Sequence, residues 1–312
     1  MNSPLIRLQF ITRKSNAKNS RPFIEQAENP NDYIAERFLI SQRNILLTDK
    51  NPDYLIILNN PNYEISHPRE RTIGIVTEPS WSSNFVPDYL YKKCVYVISH
   101  FAAPANNAIF CHSLCLPWVT KKEVSKIPEK SKKLSIIVSP LNPNKEIPKS
   151  NYLFRHSLIK SILDSDLDCD IYGDWSGADT DTRIKGYIEH KIDALLPYEF
   201  SIAIENTCEL GYSTEKLIDC FLAETQPVYL GDPVAQLHYG DHSLIPLDTK
   251  NPMKVLQDII NNKIKYNHTA VVAAKNKYLD SFNLLDKILT TINYLEQTSH
   301  RLSVNLKPSC ED

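Results

Sequence analysis

Residues 198–233 read YEFSIAIENTCELGYSTEKLIDCFLAETQPVYLGDP. The run opens on EFSIAIE (199–205), an apolar stretch of strand length, and passes through a polar loop. It continues as TEKLIDCFLAE (214–224), whose apolar residues recur at helical spacing, and closes on a second strand, QPVYLGDP (226–233). Strand, loop, helix and strand in that order make a βαβ unit, the building block of parallel sheets. Such sheets bind ligands at the carboxyl ends of their strands, beside helix N-termini. The loop Asn206–Ser213 occupies that place. Ser213 or Thr214 is a candidate N-cap, which would turn free N–H groups and the positive helix end toward the loop. Glu215 and Lys216 fall in the first turn. A lysine there opposes the helix dipole, and an anion such as a diphosphate would give it a reason. A glutamate there can accept hydrogen bonds from sugar hydroxyls. On these residues alone, a capped surface helix accounts for the pattern equally well.

The same alternation extends outward in both directions. Upstream, strands are expected at LIRLQFIT (5–12), NILLT (44–48), YLIIL (54–58), TIGIVT (72–77), CVYVIS (94–99) and IFCHSLCLPW (109–118), with a helix near 32–42. The lysine-rich segment 119–133 reads as a solvated linker, and LSIIV (134–138) begins a second unit. There a helix over 150–165 puts Phe154, Leu158 and Ile162 on one face and leads to the strand DCDIYG (168–173). Residues 252–262 and 270–297 read as helices. The pattern predicts an α/β protein of two domains with mainly parallel sheets facing a cleft. The expected boundaries are 1–125, 126–268, C-terminal helices over 269–302, and a frayed tail over 303–312.

Composition narrows the chemistry. The chain has 312 residues, 42% hydrophobic and 23% charged, with a net charge of −2, which disfavours a nucleic-acid-coating role. Only seven residues are glycine against twenty prolines, and neither G-x-G-x-x-G nor G-x-x-x-x-G-K-[ST] occurs. A bound nucleotide would therefore be held by side chains and a helix end. Seven scattered cysteines do not read as a disulfide framework, and no secretory signal or membrane span is expected. A reducing, cytoplasmic setting follows as an expectation. The histidines at 100, 112, 156, 190, 238 and 242 show no metal-ligand spacing. Asp164, Asp166, Asp168 and Asp170 alternate, but at a helix end and strand entry they read as solvated acids rather than a metal site.

Three pieces of the 198–233 run carry a resemblance: Ile204-Glu205-Asn206, Tyr212-Ser213-Thr214-Glu215-Lys216, and Pro227-Val228-Tyr229-Leu230-Gly231-Asp232-Pro233. In order, spacing and flanking elements the run resembles the signature of the α-1,3/1,4-fucosyltransferases, glycosyltransferase family 10. The likeness is clear over about 130–250 and weaker before 125. It implies a GT-B type fold of two Rossmann-like domains, with GDP-fucose held mainly by the C-terminal one. It assigns Lys216 to the diphosphate, Glu215 to ribose and fucose hydroxyls, and Asn206 and Tyr212 to the nucleotide site. Arg155, in the helix ahead of Asp170-Ile171-Tyr172-Gly173, would also face the phosphates.

The implied reaction is metal-independent and requires no cofactor beyond the donor, because Lys216, Arg155 and the helix end can neutralise a departing GDP. An inverting displacement needs a base from across the cleft. Glu78, at the end of strand TIGIVT, is the candidate, although the turn here is Glu78-Pro79-Ser80-Trp81 where the family has an E-S-P type turn. An ordinary turn residue remains the other reading of Glu78. Expected partners are GDP-fucose and a GlcNAc-containing glycan, attacked at O3, with no nucleic acid and at most peripheral contact with the inner face of a membrane. A transferase for another GDP-sugar, or a relative that binds glycan or nucleotide without catalysis, stands as the alternative.

Overall fold

The pentapeptides Tyr54-Leu55-Ile56-Ile57-Leu58 and Thr72-Ile73-Gly74-Ile75-Val76 are buried at every position. Strands without a solvent face belong inside a parallel sheet that helices cover on both sides. In the computed structural model they are β3 (Tyr54–Leu58) and β4 (Thr72–Val76). With β1 (Ile6–Ile11), β2 (Ile45–Leu47), β5 (Tyr96–Ser99) and β6 (Ala108–Phe110) they form an all-parallel sheet of order β2-β1-β3-β4-β5-β6. The structure describes residues 5–12, 29–37, 44–59, 61, 63–82, 87–101, 105–138, 149–173 and 180–305, with side chains through 298. The end of the helix expected near 32–42, Cys310 and most of the expected tail lie outside them.

The second sheet is also parallel throughout, of order β12-β11-β10-β7-β8-β9. Its members are β7 (Lys132–Ile137), β8 (Asp170–Tyr172), β9 (Ile184–Gly186), β10 (Tyr198–Ile204), β11 (Gln226–Leu230) and β12 (Ile245–Pro246). Strand order reverses between β7 and β10. In an open parallel sheet that switch point leaves a crevice outside the strand ends. Helices α1 (Pro30–Arg37) and α2 (Pro87–Lys93) belong to the first half and α6 (Pro252–Ile260) to the second. Two others reach the crevice: α3 (Tyr152–Leu163), which follows β7, and α4 (Glu215–Leu222), which follows β10. The two parallel sheets give the α/β architecture that the sequence pattern predicts and the GT-B type arrangement that the resemblance implies.

The halves share one apolar core. Leu8 and Ile56 of the first sheet lie in the same buried cluster as Leu217 and Phe221 of α4 and as Leu284, Leu285, Ile288 and Ile292 of α8 (Leu284–Asn305). That last helix returns to the first half, where Glu296 accepts hydrogen bonds from Tyr54 at 2.6 Å and Arg71 at 2.5 Å. Among the described residues no helix is long and apolar enough to cross a membrane.

Three sequence expectations need correction. IFCHSLCLPW (109–118) is a strand only through Phe110. Beyond it the chain leaves the first sheet, and the Ser113 N–H donates to the Gly211 carbonyl of the second half at 3.0 Å. The 119–133 segment is not simply a solvated linker. Val119 is buried, Lys132 and Lys133 begin β7, and Lys130 Nζ donates to the carbonyls of Leu196 (2.9 Å) and Ala223 (2.7 Å). The helix expected over 270–297 is two: α7 (His268–Lys277), a π turn over Tyr278–Phe282, and α8. Asn283 separates them. Its backbone is extended, its amide donates to Leu279 O at 2.8 Å, and its Oδ1 accepts from Asp286 N at 3.1 Å, ending one helix and capping the next.

Candidate functional site

The crevice outside β7 and β10 is built around a buried carboxylate. Glu205 directly follows β10 and is wholly inaccessible to solvent. It accepts from Thr214 N at 2.7 Å and from the Thr214 hydroxyl. Thr214 is the N-cap of α4, with extended backbone and its own oxygen facing Lys216 N, so the end of β10 is locked to the start of the helix. Gly231 permits this packing, since a Cβ there would stand 2.4 Å from Glu205 Cγ and 2.3 Å from Tyr229 Oη. Burial pushes the Glu205 carboxyl up, and Lys216 Nζ at 3.7 Å pulls it back toward its charged form.

Lys216 Nζ donates to Glu215 at 2.9 Å and to Thr214 Oγ1 at 3.2 Å. Burial raises the Glu215 carboxyl, but Lys216 and Lys191 outweigh it and hold the group below the ordinary range. Lys191 reaches the same place from the far side, donating to the Glu215 carbonyl at 3.2 Å and to Asp219 at 2.7 Å. Arg155, Lys191, Glu215 and Lys216 line one cavity together with Trp118 and Cys220.

Arg155 differs from the two lysines. It projects from α3, is 7% exposed, and donates to the Ile204 carbonyl at 2.6 Å and to Asn206 Oδ1 at 3.3 Å. Burial depresses its pKa, partly offset by the charges of Tyr152, Glu205 and Glu215. Among the described residues its guanidinium meets no carboxylate within ion-pair distance: its hydrogen bonds go to neutral oxygens, and the carboxylates of Glu205 and Glu215 act on it only from farther away. A buried charge of that kind is expensive unless an anion joins it.

The first half faces this crevice with the turn after β4. Ser80 donates to Glu209 through its N–H at 3.2 Å and its hydroxyl at 2.7 Å, and Glu209 also meets His100 Nε2 at 3.2 Å. Trp81 packs edge-on against Tyr152 at the start of α3, ring centroids 5.7 Å apart. Glu78 is half-buried and accepts from Ser82 Oγ at 2.9 Å. Tyr212 lies buried between the halves with its ring 5.0 Å from that of His100. Its phenol is pushed well up, first by burial and then by the charges of Glu205, Glu215 and Glu78, which puts Glu78 in the electrostatic reach of the crevice.

Thus Arg155, Asn206, Glu215 and Lys216 gather at the switch point, Tyr212 lies at the boundary of the halves, and Glu78 stands on the turn opposite. Asp164, Asp166 and Asp168 are exposed, and Asp170 is engaged by Tyr198, Lys132 and Lys185. Sequence reasoning gave no site role to Lys191, Asp219, Glu209 or His100: Glu209 and Asp219 lie inside the signature run and Lys191 just before it, but their partners are set only by the fold. It also missed a grouping of His112, Asp232 and His238, whose ligand atoms lie within 4.8 Å of one another. Asp232 was visible inside the signature, but nothing in the spacing pairs it with a histidine more than a hundred residues earlier.

Residues 127–272 match the family model described as glycosyltransferase family 10 (fucosyltransferase), C-terminal. A curated relative, the α-(1,3)-fucosyltransferase FucT of Helicobacter pylori, is 36% identical over 97 residues, which cover 30% of this chain and 18% of that protein. The match thus spans about a fifth of the length of such relatives. An α1,3-fucosyltransferase solved with GDP-fucose is 14% identical, with a TM-score of 0.46 over 90% of this chain and 92% of that one. Alr3699/HepE of Anabaena, solved with UDP and glucose, is 11% identical, with a TM-score of 0.49 over 96% of this chain and all of that one.

Proposed function

Because residues 127–272 form a glycosyltransferase family 10 domain, we propose that this protein is an inverting fucosyltransferase that moves L-fucose from GDP-fucose to O3 of GlcNAc in a glycan. The observation that carries the reading is Arg155, a guanidinium buried at the switch-point crevice, hydrogen-bonded to neutral oxygens and, among the described residues, without a carboxylate at ion-pair distance. A nucleoside diphosphate supplies the anion it lacks.

In this reading Arg155, Lys216 and the N-terminus of α4 hold the diphosphate, without a metal. Glu215, kept ionised by two lysines, accepts hydrogen bonds from ribose and fucose hydroxyls, and Asn206 and Tyr212 line the nucleotide. Glu78 takes the proton of the acceptor hydroxyl as its oxygen attacks fucose C1. The bond from C1 to the β-phosphate oxygen breaks, its electron pair leaves with GDP, and the configuration at C1 inverts. In this reading the charge that develops on the leaving phosphate is met by Arg155 and Lys216.

The test is GDP release from GDP-fucose in the presence of N-acetyllactosamine, with GDP-mannose in a parallel reaction and GDP binding measured on the same preparation. Turnover of GDP-fucose alone, with fucose on O3, is the expected result. Turnover of GDP-mannose instead replaces the donor. GDP binding without turnover of either sugar overturns catalysis.

A further inference from the structure

His112, Asp232 and His238 come from three places in the chain and meet at the boundary of the two halves. His112 lies just beyond β6, Asp232 just beyond β11, and His238 on the short helix α5 (Ala235–Tyr239). We propose that these three side chains form a binding site for a divalent transition-metal ion, which braces the halves beside the loop 206–213. The site is separate from the proposed sugar transfer and does not depend on it.

Two independent features support the assignment. Both imidazoles hold a ring nitrogen away from solvent with no hydrogen-bond partner among the described residues, Nδ1 of His112 and Nε2 of His238. An unpartnered buried nitrogen loses its hydration without return, whereas a metal bond restores a partner to each. The Asp232 carboxylate is the second feature. Its side chain has no solvent exposure, and among the described residues no lysine or arginine pairs with it. Its hydrogen bonds are a donation from Val234 N at 3.1 Å and one from Ser213 Oγ at 3.4 Å, and His112 Nδ1 stands 3.8 Å away. A buried carboxylate with so little compensation favours a cation.

The donor set fits the ion. Two imidazoles and one carboxylate suit Zn2+ and its first-row neighbours, and a fourth position is left for water. Ligand atoms around a tetrahedral Zn2+ stand about 3.3 Å apart, so small side-chain rotations close the shell. The rings are already oriented. The two imidazoles lie 4.1 Å apart between centroids, Phe110 edges His112 at 4.8 Å, and Phe282 lies 5.9 Å from His238. The Ser213 and Val234 bonds hold the carboxylate in the manner of an outer ligand shell. Gly211, at positive φ, brings the loop close enough that an added Cβ would sit 3.1 Å from His112 Nδ1. The brace therefore touches the loop that leads into α4.

The experiment uses the full chain after chelator treatment and dialysis, titrated with Co2+ and then Zn2+. One equivalent of Co2+ giving the intense visible absorption of a tetrahedral site, displaced by Zn2+, is the expected result, with a Zn2+-dependent rise in melting temperature. His112→Ala and His238→Gln should each weaken binding about 10-fold or more and remove the thermal rise. Asp232→Asn, nearly isosteric, covers the case of a histidine variant that does not fold. Cys208→Ser, which removes an exposed thiol, should leave binding unchanged. Absence of binding, or binding that survives both histidine changes, overturns the proposal.

Discussion

Ser80 and Glu209 belong to opposite halves of the chain, yet one carboxylate accepts both the N–H (3.2 Å) and the hydroxyl (2.7 Å) of the other residue. The pair fixes the turn that carries Glu78 to the loop that leads into α4. Replacing Glu209 by alanine strips Ser80 of both acceptors and His100 of its partner, for a destabilisation of about 1–3 kcal/mol. The proposed GDP contacts all come from the second half and should stay in place, whereas Glu78 loses its register. Glu209→Ala should therefore keep GDP affinity within about twofold while kcat falls about 10- to 100-fold. Isothermal titration and initial rates separate the two, and an equal loss in both would place Glu209 in the donor site instead.

Glu205 and Lys216 should behave differently although they share one cluster. Glu205→Ala leaves Thr214 N–H and its hydroxyl without their acceptor and Lys216 without one of its two carboxylates. Breaking so deeply buried a network destabilises by about 3–5 kcal/mol, measurable as a shift in urea midpoint. Lys216 is nearer the surface, with 23% of its side chain exposed. Lys216→Ala should fold normally and lose GDP binding and transfer. A Lys216→Ala protein with the wild-type affinity for GDP would remove the lysine from the proposed phosphate contacts.

What the sequence made legible follows the range of the interactions involved. Periodicity and β-branching marked both sheets, because strand burial leaves a local signature. The Thr214 cap and the first turn of α4 were visible for the same reason. The α7–α8 break was not, because Asn283 acts through carbonyls and amides that only the folded turn presents. Arg155 entered through a family resemblance, and its burial without a carboxylate emerged only from the fold. Lys191 depends on contacts with α4 within the second half, and Glu209 and the His112–Asp232–His238 grouping on contacts between the halves, none of which a local pattern encodes. Glycine scarcity fits the outcome. Gly231 serves close packing on Glu205 and not a phosphate loop.

Acid stability should report on Asp170. Burial raises its carboxyl, but hydrogen bonds from Tyr198 (2.6 Å) and Lys132 (2.9 Å), with Lys185 at 3.1 Å, outweigh that and hold it below its ordinary value. A carboxyl depressed in the folded state contributes stability that is complete above the unfolded pKa of about 3.9 and disappears as pH falls through the lower folded value. Asp170→Asn should therefore be less stable than wild type at pH 7, with the gap closing as pH falls below the unfolded value of about 3.9. Urea midpoints across that range test it, and a gap independent of pH would show that charge plays no part.

Lys191 and Asp219 form a buried pair at 2.7 Å, and Asp219 also accepts from the N–H groups of Trp118 (3.0 Å) and Val119 (3.4 Å), where the chain passes between halves. Burial pushes the Asp219 carboxyl up, and Lys191 opposes it, so the ionised form depends on its partner. Lys191→Met leaves that carboxylate without a countercharge and should destabilise by about 3–5 kcal/mol. In the double variant Lys191→Met/Asp219→Asn no charge is buried, and the asparagine oxygen still accepts from Trp118. Most of the lost stability should return, because the interior then carries neither the attraction nor the desolvation penalty of the pair. Urea denaturation of the wild type, both single variants and the double variant closes the cycle. Additive losses in the double variant would show that each residue acts through packing alone, and the pair would then have no part in joining the halves.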